Sequence, residues 1–167
     1  GRFISLWIAF NAVYGYLEDD GFNAPDHAAW QAFLASIAKA DVQGHLARIL
    51  WDQQVDVLRL IDSKYQFRPF WLGHPDAEEK LKRSRKQAIM HFHDQSVVGV
   101  LEELFERLYV LRQQVFHGAA TASSKLNRRA MKLGTGILAA VIPAIIDIMI
   151  SVGPEAEWGE VCFPPMG

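Results

Sequence analysis

Between positions 95 and 117 the chain reads QSVVGVLEELFERLYVLRQQVFH, and Val97, Leu101, Leu104, Leu108, Leu111 and Val115 recur every three or four positions. That spacing returns to one face at each turn of an α-helix, and it leaves a stripe that must be buried against something. The same period governs most of the chain. Phe3, Trp7, Phe10, Tyr14 and Leu17 predict a first helix over 2–18. Asp26 is placed to cap a second, 26–38, whose inward residues are Trp30, Phe33, Leu34 and Ile37. Leu46, Ile49, Leu50, Val57, Leu60 and Ile61 predict a third over 41–62, weakened in its first turn by Gly44. A fourth, rich in charge and poor in apolar contacts, is expected from Asp76 to about His91. Gly118 is suited to end the helix over 95–117, and Asn127 to cap a last one reaching about Ile150. Alternation with a period of two never persists, so strands are not expected. Residues 65–75, YQFRPFWLGHP, read as an aromatic connector. The expectation is an all-α, up-and-down bundle of about five to six helices forming a single domain over 1–167.

Composition narrows the function classes. Half of the 167 residues are apolar and the formal net charge is −2, which excludes a disordered tail and a protein that coats nucleic acid by bulk charge. A nucleic-acid role must rest on a local patch. Cys162 is the only cysteine, so neither an internal disulfide nor a Cys-rich zinc site is available, and the reducing cytoplasm is the expected compartment. No signal peptide is visible. The chain opens on Gly1, and Phe3 already belongs to a helical pattern without a cap before it, so a trimmed or engineered N-terminus is expected. Residues 133–152 are apolar for nearly the thickness of a bilayer. Asp147, Pro143, two glycines and the basic start of the same helix favour the core of a bundle over a membrane span.

The sharpest local feature is LRQQVFHG, residues 111–118. Arg112 offers a permanent planar charge for a phosphate, and His117 a proton donor or acceptor near neutral pH. Five positions correspond to about 140° around a helix axis, so the two do not share a face in an ideal helix. Spacing alone favours the plainer reading of a capping histidine beside a surface arginine. Asn11 and Tyr14 lie on an otherwise apolar face of the first helix; Asn11 either faces the Arg112 and His117 region or bonds backbone. Lys80, Lys82, Arg83, Arg85 and Lys86 form one basic run, and Lys125, Arg128, Arg129 and Lys132 another. The second, nearer His117 in sequence, is the preferred RNA-facing patch, although at a helix start it opposes the macrodipole. His91 and His93 point to opposite sides of a helix and do not suggest a metal site. Glu102, Glu103 and Glu106 read as the exposed side of helix 95–117. Ser123 and Ser124 lack a nucleophile-elbow context, and there is no glycine-rich phosphate loop.

The segment Arg112-Gln113, three residues, His117, late in a long helix of an all-α chain, resembles the hallmark of the prokaryotic HEPN superfamily. The opening LWIAFNAVYGY is similar to the first helix of that group, and LRQQVFHGAAT through AAVIPAIIDIM to its later part; together these cover about a third of the chain. The resemblance implies a helical homodimer in which Arg112 and His117 of two protomers converge and cut RNA with no metal and no other cofactor. His117 would handle the proton on the ribose 2′-hydroxyl or the leaving oxygen, and Arg112 would stabilise charge on the phosphate. Gln113 stands where asparagine is common in the superfamily, and Asn11 and Tyr14 would support the site. Ala119 stands where members modified by nucleotide transfer carry tyrosine, which argues against that subtype. The resemblance further implies a toxin or antiviral effector, with a neutralising antitoxin or another defence protein as partner. Two alternatives stay open: a catalytically silent HEPN module that binds RNA, nucleotide or protein, and a helical interaction domain in which the motif is coincidental.

Overall fold

The structure, a computed structural model, describes residues 1–14, 27–116 and 125–152, with side chains from 1–11, 30–116 and 128–152. Every regular element among the described residues is helical. In order they are α1 (Arg2–Tyr14), α2 (His27–Ala40), α3 (His45–Asp52), α4 (Gln54–Ile61), a 3-10 turn (Lys64–Gln66), α5 (Arg68–Trp71), α6 (Ala77–His93), α7 (Val97–Phe116) and α8 (Lys125–Val152).

The apolar stripe of α7 is the middle of the bundle. Leu101, Leu104, Leu108 and Leu111 are fully buried, and α7 touches α2, α3, α4, α5, α6 and α8. α8 is the second central helix, packed on α1, α2, α3 and α4 as well. Aromatic rings close the gap between α1 and α7: Phe10 lies 4.8 Å from Phe105 and Trp7 lies 6.4 Å from Tyr109, centroid to centroid. Such tilted pairs add roughly 0.5–1.5 kcal/mol each beyond the area they bury.

Arg128–Val152 of α8 is long and apolar enough, by length and composition, to cross a membrane. Ile137, Leu138, Val141, Ile142, Ala144, Ile145 and Ile148 are buried in the bundle core. Asp147 and Pro143 fall on the exposed side, where a carboxylate stays hydrated.

The structure corrects four details of the sequence reading. The helix expected over 41–62 is two helices, interrupted at Gln53. It also begins later, because Asp41 folds back across a short turn. Its carboxylate accepts the backbone N–H groups of His45, Leu46 and Ala47 at 2.8, 3.0 and 3.2 Å, which satisfies the first turn of α3. Gly44 makes that turn with φ of 66°, a left-handed conformation that costs glycine little. The connector over 65–75 is partly helical, with the 3-10 turn entering it and α5 inside it, which raises the number of α-helices from five or six to eight among the described residues. Asn127 does not cap α8, which starts at Lys125. The expected Asp26 cap and the Gly118 stop lie outside the described residues.

The corner between α6 and α7 shows how the sequence turns the chain in so few residues. Gln95 has φ of 57°, while Ser96 N–H bonds the His91 carbonyl at 2.8 Å and Gln95 N–H that of Phe92 at 3.3 Å. This is a Schellman ending with glutamine where glycine is usual. Ser96 then caps α7, its hydroxyl accepting Gly99 N–H at 3.2 Å. A Cβ on Gly99 would stand 2.4 Å from His91 Nδ1, so the His91 ring fills the space a side chain at 99 would take and would have to shift to admit one.

Candidate functional site

Two polar centres lie along α7, five residues apart. The first is Arg112, on the last turn of α7. Its guanidinium carbon is 4.3 Å from the centroid of the Phe116 ring one turn later, a cation–π contact that holds the group along the helix end. Gln113, beside it, donates from Nε2 to the Tyr109 hydroxyl at 2.5 Å. Tyr109 in turn contacts Trp7, so the Gln113 turn is coupled to α1. Asn11, half-buried, is one turn beyond Trp7 on α1 and shares its face. His117 follows α7 directly and lies outside the described residues, as does the side chain of Tyr14. α7 is helical up to Phe116, so the angular offset between positions 112 and 117 enters with its helical phase intact to the residue before His117.

The residues proposed to face RNA are at the start of α8. Lys125 is its first residue, with a side chain outside the description; Arg128, Arg129 and Lys132 are exposed. Arg129 lines a cavity of about 330 Å³ together with Arg59, Asp62, Lys64 and Tyr65. The carbonyl of Tyr65 accepts Gln114 Nε2 at 2.5 Å, which fixes this wall to the same end of α7 that carries Arg112. Gln114 is itself buried, and its Oε1 accepts Gln66 Nε2 at 3.1 Å.

The second centre was not foreseen. Arg107 is only 2% exposed. Its Nε donates to the Ile61 carbonyl at 3.1 Å, one terminal nitrogen to the Glu103 carboxylate at 3.3 Å and the other to Ser84 Oγ at 2.7 Å. Ser84 Oγ donates to the same Glu103 oxygen at 2.6 Å, and the Phe67 ring covers the guanidinium at 4.6 Å. Burial pushes the Arg107 pKa down, and the nearby carboxylates of Glu103, Glu106 and Asp62 oppose it. An arginine stays charged through such a shift. The cluster adjoins a cavity of about 480 Å³ lined also by Gln66, Glu102 and Glu106. Glu102, Glu103 and Glu106 are therefore half-buried and not the exposed side of α7. The place an anionic ligand would take at Arg107 is filled by the protein's own Glu103. The group acts as a lock joining the end of α4, the middle of α6 and α7. The sequence signal was present: Val100, Leu104, Arg107, Leu111 and Gln114 form a stripe of helical period in which two polar residues replace apolar ones.

Among the described residues no three of His, Cys, Asp and Glu form a group able to hold a metal ion. His93 Nδ1 contacts its neighbour Asp94 at 3.0 Å, and the His91 ring packs on Gly99. Comparison with protein-family models, with curated proteins and with solved structures finds no match to this chain.

Proposed function

We propose that this chain is a metal-independent endoribonuclease of the HEPN kind, active as a homodimer in the cytoplasm and serving as a toxin or antiviral effector held in check by a partner protein. The observation that carries the reading is the Arg112-Gln113, three residues, His117 pattern at the end of the central helix of an all-helical bundle. The exposed cations Arg128, Arg129 and Lys132 on the next helix support it.

The chemistry follows from these groups. His117 removes the proton of a ribose 2′-hydroxyl; the oxygen attacks the adjacent phosphorus, and the 5′-oxygen leaves with a proton from a second histidine. Arg112 compensates the charge that builds on the phosphoryl oxygens. The products are a 2′,3′-cyclic phosphate and a 5′-hydroxyl. A two-fold axis beside the end of α7 would bring Arg112 of one chain to His117 of the other, which answers their poor alignment within one helix.

The test is incubation with total RNA in EDTA. Cleavage that disappears in Arg112→Ala and in His117→Ala, and that fails on a strand with 2′-deoxyribose at the cut, supports the enzyme. Mixed heterodimers of those two variants that regain part of the activity support pairing across the interface; full activity in a proven monomer overturns the composite site. Binding of RNA without cleavage by an intact dimer points to the silent module, the reading favoured by Gln113 standing in place of asparagine.

A further inference from the structure

The two basic runs of the sequence lie on α6 and α8, far apart along the chain. The segment between α4 and α6 brings them together. The cavity beside Arg129 and a second one, of about 340 Å³, share Asp62 and Lys64. The second is lined also by Lys82 and Arg85 of α6, by Glu78 at the start of that helix, and by Phe67 and Phe70. Cations thus follow one another from α8 through Arg59 and Lys64 to α6. Asp62 already faces Arg85, at 3.6 Å, Asp56 faces Arg59, at 3.5 Å, and Glu79 faces Lys82, at 3.9 Å. All three pairs are half exposed or more, and such pairs contribute only about 0–1 kcal/mol, so a phosphate competes with them readily.

Aromatic rings stand along this line. Lys64 Nζ sits 5.3 Å from the centroid of Tyr65 and 5.5 Å from that of Phe70, and the two rings meet edge to face at 5.8 Å. Phe70 is 39% exposed and Trp71 49%, although both are large apolar residues, and the Trp71 indole N–H is anchored on the Tyr65 carbonyl. Cations in a groove with exposed ring faces beside them are what a single strand requires: charge for the backbone, flat surfaces for unpaired bases. A duplex offers no free base faces, and an acidic peptide has no use for the rings as stacking platforms.

We infer that residues 59–71 join the basic runs of α6 and α8 into one track for a single-stranded nucleic acid. Phosphates lie on Arg129, Arg59, Lys64, Lys82 and Arg85, and a base stacks at Phe70 and Trp71. The track rests on the nucleic-acid part of the proposed function and not on cleavage. It runs past Tyr65, whose carbonyl accepts Gln114 of α7.

The experiment uses the full chain with Arg112→Ala, to prevent cutting, and short labelled uridine and deoxythymidine oligonucleotides followed by fluorescence anisotropy over a range of salt. Arg129→Ala and Lys82→Ala, one from each cavity, should each lower the slope of log affinity against log salt by about 0.7, and the double variant by about twice that. Trp71→Ala should weaken binding about 5- to 100-fold with the slope unchanged, the signature of lost stacking. Lys39→Ala, an exposed cation on α2 that lines neither cavity, should change neither. RNA and DNA binding alike assign the track to any single strand; RNA alone assigns it to the substrate of the ribonuclease. Unchanged slopes in both cavity variants, equal loss with Lys39→Ala, or no binding of either strand overturns the track. Cleavage by the wild-type chain that persists with unchanged slopes removes the track and leaves the ribonuclease, whereas binding along the track without any cleavage removes the ribonuclease and leaves the track.

Discussion

Arg107 and Arg112 sit five residues apart on one helix and live in opposite circumstances. Arg107 is buried, and its guanidinium is bonded to three different elements and roofed by a ring. Arg112 is half-buried at the helix end, lying along Phe116 of its own helix. The difference teaches that arginine type and helix position do not by themselves mark a site. A guanidinium matched to a carboxylate inside the protein holds the fold together, whereas one lying on an aromatic ring at the helix end makes no such tie between elements.

The comparison breaks first at stability. Arg107→Ala takes its donor from the Ile61 carbonyl and from Ser84 Oγ and leaves the half-buried Glu103 carboxylate without its cation, with only the Ser84 hydroxyl to bond it, and we expect a loss of about 3–5 kcal/mol in urea unfolding. A loss below about 1 kcal/mol would mean the cluster is not a lock. Arg112→Ala should do the reverse. Cleavage should fall about 10²- to 10³-fold, equivalent to roughly 3–4 kcal/mol in the barrier, while stability falls by only about 0.5–1 kcal/mol with the lost Phe116 contact. Comparable unfolding losses in both variants would erase the distinction.

Smaller effects sharpen it. Ser84→Ala removes the hydroxyl between Arg107 and Glu103, and each charged group loses one hydrogen bond; the expected cost is about 1–3 kcal/mol. A double-mutant cycle of Ser84→Ala with Glu103→Gln should be clearly non-additive, because the two side chains share one network. The smallest effect belongs to Phe116→Leu, which takes the ring from Arg112: about 0.5–1 kcal/mol of stability at an exposed site, with a lower cleavage rate if the ring positions the guanidinium.

The helices were largely legible in advance. α7 was expected over 95–117 and runs over Val97–Phe116; α6 begins and ends within two residues of the expected limits, and α8 ends within two of Ile150 but starts before the expected Asn127 cap. The interruption at Gln53 was not legible because Leu50 and Val57 are seven residues apart, two turns, so the apolar stripe keeps its phase across the break. Arg107 was missed for a related reason. Glu103 and Arg107, four apart, look like an ordinary pair on a solvated helix face, which masks the apolar stripe that Arg107 shares with Leu104 and Leu111, and its partners Ser84 and Ile61 are distant in sequence. Of the proposed site, Arg112, Gln113 and Asn11 have described positions, and His117 and the Tyr14 side chain lie outside the described residues.

By itself the sequence determined that this chain is helical and which apolar stripes of its helices are buried. Apolar periodicity is a local property, and removing a stripe of side chains from water is favourable whatever partner covers it. Tertiary structure decided what the polar residues do. Whether a charge is locked inside or left at the surface depends on the groups that desolvate it or leave it in water, and these come from elsewhere in the chain: Ser84, the Ile61 carbonyl and Phe67 around Arg107, and the cavities that set Lys64 beside cations of α6 and α8.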